Sequence, residues 1–368
     1  MTMTTISRRG LLKAGVAAAA ASALPFSAAR AAGDITIGAL YVGPRDDFGW
    51  NQSHAAAMDI LRGVPGVTVV EEENVPETDS VAKSMESMIN LDGANLILAT
   101  SFGYYNPFVL DTAAKYPDVQ LRHCAPLWNP ETDPKNAGSY FSYLNQAHYV
   151  NGVAAGLSSA SGKLGFVAAK PVQTVLSNCN SFLLGARSVN PNATVQVIFT
   201  GEWSMPVREA EATNALIDAG CDVIGCHVDS PKVVIETAEA RGAKTCGHNA
   251  DQRSLAPNGF ITGAESKWST TYKIYAEALM KGEEVPNLIA GGYHNDMVMN
   301  TPFGAGATPE AIAAATAAIE GLKAGKPIYV GPLKDNKGNL VIEGAMDNYA
   351  PELEKMNYLL DGVMGSTT

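Results

Sequence analysis

The chain has 368 residues, long enough for two ordinary domains, and 46% of them are hydrophobic, enough for two sizeable cores. It carries 26 Lys and Arg against 37 Asp and Glu, a net charge of -11. Such an acidic surface repels phosphate backbones and anionic lipids, so we expect neither nucleic-acid binding nor peripheral membrane binding. The 35 Gly and 20 Pro are spread along the chain rather than clustered, which argues against a disordered protein.

Residues 1–32 have the layout of a signal peptide. Arg8 and Arg9 precede an alanine-rich apolar run, 14–29, that is too short to span a bilayer. The run ends at Ala29-Arg30-Ala31, where small residues suit a signal peptidase, and the arginine pair is typical of a twin-arginine export signal. The alternative is a basic N-terminal helix of a cytosolic protein.

Cleavage of this leader would change the net charge of the mature protein, and the export that goes with it would place the protein in the periplasm. The leader holds four of the 26 basic residues and no acidic one, so its removal leaves 22 against 37 and a net charge near -15. No cysteine precedes Cys124, so a lipid anchor would have no acceptor at the cleavage point. We expect a soluble periplasmic protein without a lipid anchor, beginning near Ala32 or Gly33.

The five cysteines predict neither a disulfide scaffold nor a metal site. Their number is odd and low for an exported chain. Cys226 and Cys246 end two successive predicted strands, where a disulfide bridge and a pair of buried free thiols are both compatible with the sequence. No cluster of Cys or His has the spacing of a zinc site, so we expect no metal and no other cofactor.

Predicted strands and helices alternate along the chain. The strands are continuous apolar runs, which is typical of parallel strands covered on both faces. They are Ile35–Val42, Val67–Val70, Asn95–Thr100, Leu164–Ala168, Val195–Thr200, Asp222–Val228 and Ala243–Gly247. The predicted helices are Ser53–Arg62, Ser80–Leu91, Pro107–Lys115, one that Pro206 opens and Gly220 ends, one that Ser230 caps and that runs to Gly242, and one from Thr308 to Gly325.

This alternation predicts the fold class. Repeated strand-helix-strand units imply parallel sheets with helices on both faces. The series breaks near Gln146–Gly162, so the sequence predicts an α/β protein with two doubly wound, Rossmann-like lobes joined by a hinge. We expect lobe I to comprise 33–145 and about 268–300, and lobe II to comprise 146–267 and about 301–368.

Three tryptophans lie where such a fold would bind a ligand. Ligands of doubly wound sheets bind beyond the carboxyl ends of the strands, which here is the cleft between the lobes. Trp50, Trp203 and Trp268, three of the four tryptophans, fall on loops at those ends. Their rings would sandwich a flat heterocycle, at about 0.5–1.5 kcal/mol per aromatic pair beyond area burial.

Further side chains on the same loops complete the candidate site. Asn51, Asp229 and Asn249 would hydrogen-bond to the edge of the ring, because carboxylates accept and amides both donate and accept. Phe102 follows the third predicted strand and adds an aromatic ring. The full set of candidate ligand-binding residues is Tyr41, Trp50, Asn51, Phe102, Trp203, Asp229, Asn249 and Trp268.

Each candidate also has a purely structural alternative. A tryptophan packs in a core more often than it contacts a ligand. Asp46 and Asp47 would equally suit a solvated turn. We expect His227 and His248 to be structural histidines with satisfied hydrogen bonds rather than ligand contacts.

Short motifs along the chain carry a resemblance to a known family. In order they are Gly43-Pro44, Asp47-Phe48-Gly49-Trp50, Ala113 to Val119, Gly185 to Pro191, Ala219 to Ile224, Asp229-Ser230-Pro231, Asp251-Gln252 and Thr301-Pro302-Phe303-Gly304. Together they resemble the basic membrane protein (BMP) family of periplasmic solute receptors over about 34–326. The resemblance implies a type I periplasmic-binding fold and a small-molecule receptor whose partners are the permease subunits of an ATP-driven importer in the inner membrane. It also places the family's aromatic stacking positions at Trp50 and Trp203.

Two positions depart from the nucleoside-binding members of that family. Tyr41 stands where those members have an acid, and Asn249 stands where they have a ribose-binding Asp. An amide makes a weaker hydrogen bond to a ribose hydroxyl than a carboxylate does. The resemblance therefore favours a flat heterocycle, first of all a purine nucleobase, and a purine nucleoside receptor of the same family is the alternative.

The rival class of function is an enzyme similar to a nucleoside hydrolase that would use Asp46 and Asp47. The sequence has no Gly-x-Ser-x-Gly elbow and no P-loop, and it lacks the glycine-rich dinucleotide fingerprint after Val42. We therefore expect a monomeric binding protein rather than an enzyme. A solute-sensing subunit of a membrane receptor would use the same pocket.

Overall fold

The computed structural model describes residues 33–367. The expected signal peptide, 1–32, lies outside these described residues. None of the helices in the described part is long and apolar enough to cross a membrane.

The first third of the chain alternates strands and helices as expected. The elements are β1 (Ile35–Leu40), α1 (Trp50–Arg62), β2 (Val67–Glu72), α2 (Ser80–Asn90), β3 (Leu96–Ala99), α3 (Leu110–Lys115), β4 (Gln120–Cys124) and β5 (Ala137–Ser142). Short helical turns at Phe102–Tyr104 and Tyr105–Val109 lie between β3 and α3. All five strands are parallel.

A second series of elements follows. It consists of α4 (Asn145–Ser158), β6 (Lys163–Ala168), α5 (Gln173–Val189), β7 (Thr194–Phe199), α6 (Pro206–Asp218), β8 (Val223–His227), α7 (Lys232–Ala240), β9 (Lys244–His248) and β10 (Phe260–Ser266). These strands are also mutually parallel. The chain then returns to the first sheet through α8 (Trp268–Lys281) and β11 (Leu288–Gly291).

The remainder of the chain belongs with the second sheet. Its elements are β12 (Val298–Asn300), α9 (Pro309–Lys323), β13 (Tyr329–Val330), β14 (Leu333–Lys334), β15 (Leu340–Ile342), β16 (Ala345–Met346) and β17 (Val363–Met364), with single helical turns at Tyr293–Asn295 and Leu353–Lys355. The strand orders are β11-β5-β4-β3-β1-β2 in the first sheet and β12-β10-β9-β8-β6-β7-β17 in the second. We call the two sheets with their helices lobe I and lobe II.

Both sheets are buried on both faces, which explains why their strands are continuous apolar runs. In β1, Ile37 and Ala39 enter one core of lobe I and Leu40 enters the other. In lobe II, Phe166 of β6 and its neighbour Val167 likewise enter opposite cores. The architecture is the predicted one of two doubly wound α/β lobes.

The hinge consists of three crossing segments that are hydrogen-bonded to one another. The Ser142 and Ser266 hydroxyls lie 2.5 Å apart, and Tyr143 N donates to Gly291 O at 2.8 Å. The third crossing comes earlier than the expected residue 300. Val298–Asn300 already pairs with β10 in lobe II, so the chain has left lobe I before Val298.

Helices α4, α5 and α8 were not predicted from the sequence, and the first two of them pack against each other. Their contact explains their composition, because it depends on glycines, which are poor helix formers. A Cβ atom at Gly152 would lie 2.0 Å from Phe182 O, and one at Gly185 would lie 2.0 Å from Tyr149 O. The helices therefore approach at a distance that only glycine allows.

The cysteines are all buried and free, which resolves the question left open by the sequence for Cys226 and Cys246. Burial raises the pKa of both thiols above its ordinary value. Such thiols behave as small apolar side chains in the core of lobe II.

Candidate ligand-binding cleft

The two lobes touch directly across the cleft between their sheets. Trp50 N donates to Asp229 O at 2.8 Å, and Gln252 Nε2 donates to Phe48 O at 2.6 Å. Ser230 Oγ donates to Asp47 O at 2.7 Å. The prediction that Ser230 caps α7 was wrong: Pro231 occupies the cap position without a side-chain hydrogen bond, and the Ser230 hydroxyl joins the lobes instead.

The backbone of Asp229 connects the two tryptophans that the sequence placed on opposite lobes. Its carbonyl accepts the Trp50 N–H at 2.8 Å, and its own N–H donates to Trp203 O at 2.8 Å. One residue at the carboxyl end of β8 therefore holds an aromatic residue from each lobe. Both tryptophan side chains are partly exposed.

A buried aromatic cluster in lobe I supports Trp50 from behind. The Trp50 Nε1–H donates to Thr100 O at 3.2 Å, and its ring meets His54 edge to face at 4.7 Å between centroids. Trp268 stacks on His54 at 4.8 Å and donates its Nε1–H to Ser53 Oγ, whose hydroxyl in turn donates to Trp50 O. Trp268 is only 2% exposed, so it lies in the core and positions Trp50.

The loop that carries Trp203 is held by the first turn of α6. Glu209 is fully buried and accepts a hydrogen bond from Met205 N at 2.6 Å through one carboxylate oxygen. Burial raises the pKa of Glu209. The Trp203 ring lies 6.1 Å from the His227 ring, at the end of β8.

The Asp229 carboxyl has no hydrogen-bond partner among the described residues. Its pKa is raised from 3.8 to about 8, mainly by burial and in addition by the nearby acids Asp47, Glu209 and Glu77, while Lys170 lowers it. An unpaired carboxyl in an acidic, poorly solvated place is costly when it is ionised. A ligand whose N–H groups donated to this carboxyl would supply the missing partners and stabilise its ionised form.

The two candidate asparagines differ in whether their side-chain amides are already hydrogen-bonded within the protein. Asn51 is 3% exposed and its side chain is committed to lobe I, since Nδ2 donates to Asp47 and Oδ1 accepts from Gly43 N. Asn249 is also buried, but its side-chain amide makes no hydrogen bond to any described residue. Its backbone has a φ of 68°, a conformation in which Asn is several-fold enriched.

Tyr41 and Phe102 lie away from the hydrogen bonds that join the lobes. Tyr41 has no exposed surface and donates its hydroxyl to Glu71 at 2.6 Å. Phe102 is 61% exposed on the helical turn after β3. The structure thus brings Trp50, Trp203 and Asp229 together, and it separates Tyr41 from them by burial.

Asp47 is one of the two acids of the rival hydrolase hypothesis. Its carboxylate is already hydrogen-bonded to the first turn of α1. Its carboxylate accepts hydrogen bonds from the backbone N–H groups of Gly49, Asn51 and Gln52 and from the Asn51 side chain. This is the role of a helix-capping residue. The carboxylate has little capacity left to activate a water molecule.

Comparison with known proteins identifies the family. Residues 35–303 match the family model described as Bmp, ABC transporter substrate-binding protein PnrA-like. The chain belongs to this family. It is therefore a substrate-binding protein of the ABC transporter type, as the motif resemblance had indicated.

Two curated relatives of this Bmp protein are named for different ligands. A purine-binding protein of Brucella abortus is 33% identical over 340 residues, which cover 91% of this chain and 95% of the relative. A putative ABC transporter glucose-binding protein of Haloferax volcanii is 30% identical over 74% of this chain and 68% of the relative.

Solved structures confirm the fold. An ABC transporter solute-binding protein from Conexibacter woesei superimposes with a TM-score of 0.68 at 22% identity, covering 79% of this chain and 96% of that one. A solute-binding protein from Aeropyrum pernix gives a TM-score of 0.65 at 18% identity, with 82% and 93% coverage. At these identities the likeness concerns the fold alone.

Three histidines of this Bmp protein form a cluster that was not predicted from the sequence. His148, His227 and His248 lie together at the carboxyl end of the lobe II sheet, and His148 Nε2 is 2.9 Å from His248 Nδ1. The expectation that the hydrogen bonds of His248 are satisfied was wrong, because its ring Nε2 is buried without a partner among the described residues. The only sequence signal was the position of His227 and His248 at strand ends, since His148 comes from a helix that was not predicted.

We predict that protonation of Asp229 favours the closed arrangement of the lobes. In the arrangement described here the pKa of Asp229 is raised from its ordinary value of 3.8 to about 8. Separation of the lobes would expose the carboxyl and return its pKa towards the ordinary value, so the closed form would bind more protons between these values. The closed fraction of the unliganded protein should therefore fall as the pH rises from 5 to 9, and small-angle scattering should show a growing radius of gyration.

Asp229→Asn should flatten this pH dependence. Glu202→Gln, which removes an exposed carboxyl from the Trp203 loop, is the matched control and should retain it. Identical pH profiles for the wild type and Asp229→Asn would contradict the burial of this carboxyl on closure.

Proposed function

We propose that this protein is a receptor for a purine nucleobase, which it delivers to an ABC importer. The observation that carries the proposal is the arrangement around Asp229: an unpaired carboxyl at the end of β8, with Trp50 and Trp203 hydrogen-bonded to its backbone. A flat ring with N–H donors would stack on indole and donate to the carboxyl. The Brucella relative, named a purine-binding protein, supports this ligand class.

The base is a better candidate than the nucleoside because no free acid stands where ribose would need one. Tyr41, at one expected ribose-binding position, is buried and donates to Glu71. Asn249, at the other, offers a neutral amide. Direct ligand contacts are proposed for Trp50, Trp203, Asp229 and Asn249, while Trp268 acts through Trp50.

The charges around the site favour a neutral ligand. Asp47, Glu209 and Glu77 all raise the pKa of Asp229, and Lys170, which lowers it, forms a salt bridge with Glu202 at 2.7 Å. A phosphate group brought beside these carboxyls would be repelled. Nucleotides are therefore poor candidates.

Transport would proceed by closure of the two lobes around the bound base, and the permease would recognise the closed shape. We propose that the protein acts as a monomer in the periplasm after twin-arginine export, without a lipid anchor. The lobes would rotate about the three crossings near residues 143, 267 and 292–297, with 33–142 and 268–291 forming lobe I.

Calorimetric titration should show that at least one free base binds more tightly than its nucleoside. The panel comprises adenine, hypoxanthine, xanthine and urate with their nucleosides, and AMP and glucose as ligands of other classes. The physical reason is that ribose adds hydroxyls without an acidic partner, which leaves polar groups poorly paired on closure. Tighter binding of a nucleoside than of its base would favour the nucleoside receptor, and glucose as the tightest ligand would overturn the purine proposal.

The same samples distinguish a receptor from an enzyme. Incubation with each nucleoside followed by chromatography should recover the nucleoside intact. Release of free base at a rate above the protein-free control would support the nucleoside hydrolase alternative.

Trp203→Ala should weaken binding of the preferred base by about 30-fold, or about 2 kcal/mol, because truncation removes a stacking surface at the centre of the site. The melting temperature should change little, since the side chain is partly exposed in a loop. Phe102→Ala, which removes an exposed aromatic ring of lobe I, serves as the comparison and should have a smaller effect. Unchanged affinity in Trp203→Ala would remove Trp203 from the site.

Gly49→Ala should impair closure without unfolding either lobe. A Cβ atom at this position would lie 1.9 Å from Asp229 O and 2.7 Å from Pro231 Cδ, and both atoms belong to the opposite lobe. We expect a loss of at least tenfold in affinity for the preferred base, with a nearly unchanged melting temperature. Gly344→Ala, where a Cβ meets no atom within 4 Å, should bind like the wild type. Equal affinities for the two variants would show that Gly49 does not limit closure.

A further inference from the structure

The three-histidine cluster of lobe II lies beside the proposed contacts but is not explained by them. His227 ends β8, two residues before Asp229, and its ring is 4.1 Å from the His248 ring and 6.1 Å from the Trp203 ring between centroids. Burial lowers the pKa of His227 to about 3, so the ring is neutral at any physiological pH. A neutral imidazole has one nitrogen that donates and one that accepts.

Asn178 on α5 determines which ring nitrogen of His227 carries the proton. The Asn178 side chain is buried, and its Nδ2 lies 2.8 Å from His227 Nδ1. Because an amide nitrogen only donates, Nδ1 must accept, and the proton of the neutral ring is on Nε2. The Nε2–H group has no hydrogen-bond partner among the described residues, and the side chain is partly exposed.

We propose that His227 is a specificity-determining residue that donates its Nε2–H to the ligand, and that Asn178 is a positioning residue that fixes this tautomer. The inference rests on the proposed function and deepens it. His227, at the end of β8, supplies a donor, and Asp229, two residues later, supplies an acceptor. The favoured ligand is then a flat heterocycle that carries an acceptor and an N–H donor on one edge.

This pairing makes the site selective within the class of flat heterocycles. Adenine and hypoxanthine each present an acceptor next to a donor, but with opposite order at position 1 and at the substituent of carbon 6. Caffeine presents acceptors and no N–H group, so it cannot donate to the Asp229 carboxylate and stabilise its ionised form. A buried polar group left without a partner weakens binding far more than a lost exposed contact does.

Substitutions at His227 test the donor. His227→Leu removes it and should weaken binding of the preferred base about tenfold or more, whereas His227→Gln retains an N–H group at the end of the side chain and should stay within a few-fold of the wild type. Caffeine should bind more weakly than either adenine or hypoxanthine. Wild-type affinity in His227→Leu would overturn the inference.

Asn178→Asp tests the positioning role without touching the ligand contact. A carboxylate accepts from Nδ1–H, so the proton moves to Nδ1 and Nε2 becomes an acceptor. The ¹⁵N spectrum of the imidazole should show Nε2–H in the unliganded wild type and Nδ1–H in the variant. Binding of the preferred base should weaken, and the ratio of the adenine and hypoxanthine dissociation constants should change.

Asn214→Asp is the matched control. It adds the same charge to the outer helix α6, where the Asn214 amide oxygen already accepts from Arg241. It should alter neither the His227 tautomer nor the ratio of the adenine and hypoxanthine dissociation constants.

An Nδ1–H tautomer in the wild type would overturn the role of Asn178. If no purine binds the wild type, the proposed function fails. If purines bind and His227→Leu has no effect, only this inference fails.

Discussion

The contact between the lobes at Asp229 is the constraint on which the rest of the cleft depends. Its carbonyl accepts the N–H of Trp50 from lobe I, and its N–H donates to Trp203 in lobe II. This geometry requires a glycine at position 49, because any side chain there would meet the Asp229 carbonyl. The two aromatic residues, the carboxyl and the interlobe contact are thus consequences of one short segment after β8.

The same segment makes closure depend on the ligand. In the arrangement described here the Asp229 carboxyl has no hydrogen-bond partner among the described residues, and its pKa is raised. Closing an empty cleft would therefore carry a cost at neutral pH, on the order of a few kcal/mol, either as an ionised group without a partner or as the uptake of a proton. A ligand with N–H donors supplies the missing partner. A binding protein gains from this arrangement, because an empty receptor that closed readily would present the transporter with the same shape as a loaded one.

Much of the fold follows from local sequence, whereas the packing behind the site does not. β1, β6 and β8 are predicted from apolar runs. Trp203 lies on a strand-end loop as expected, whereas Trp50 is the first residue of α1. Trp268 occupies an equivalent position in the sequence but lies in the core, because His54 and Ser53 of α1 provide a stacking face and an acceptor more than 200 residues away. Helix α5 was missed because its glycine and polar residues are poor helix formers that only the packing against α4 stabilises. With α5 missing, the link from Asn178 to His227 had no sequence signal at all.

The two lobes therefore contribute different kinds of contact to the proposed site, aromatic stacking from lobe I and hydrogen bonds from lobe II. Lobe I offers a rigid aromatic surface, in which Trp50 is held by Thr100, His54 and Trp268 and has little freedom to adapt. Lobe II offers polar groups whose hydrogen-bonding capacity is largely unused, at Asp229, Asn249 and His227. Under the proposed function, stacking on lobe I would accept almost any flat aromatic ring, since every such ring has an aromatic face. Discrimination would then come from lobe II, when closure brings the edge of the ring against those groups, so selectivity and the closing movement would arise from the same contacts.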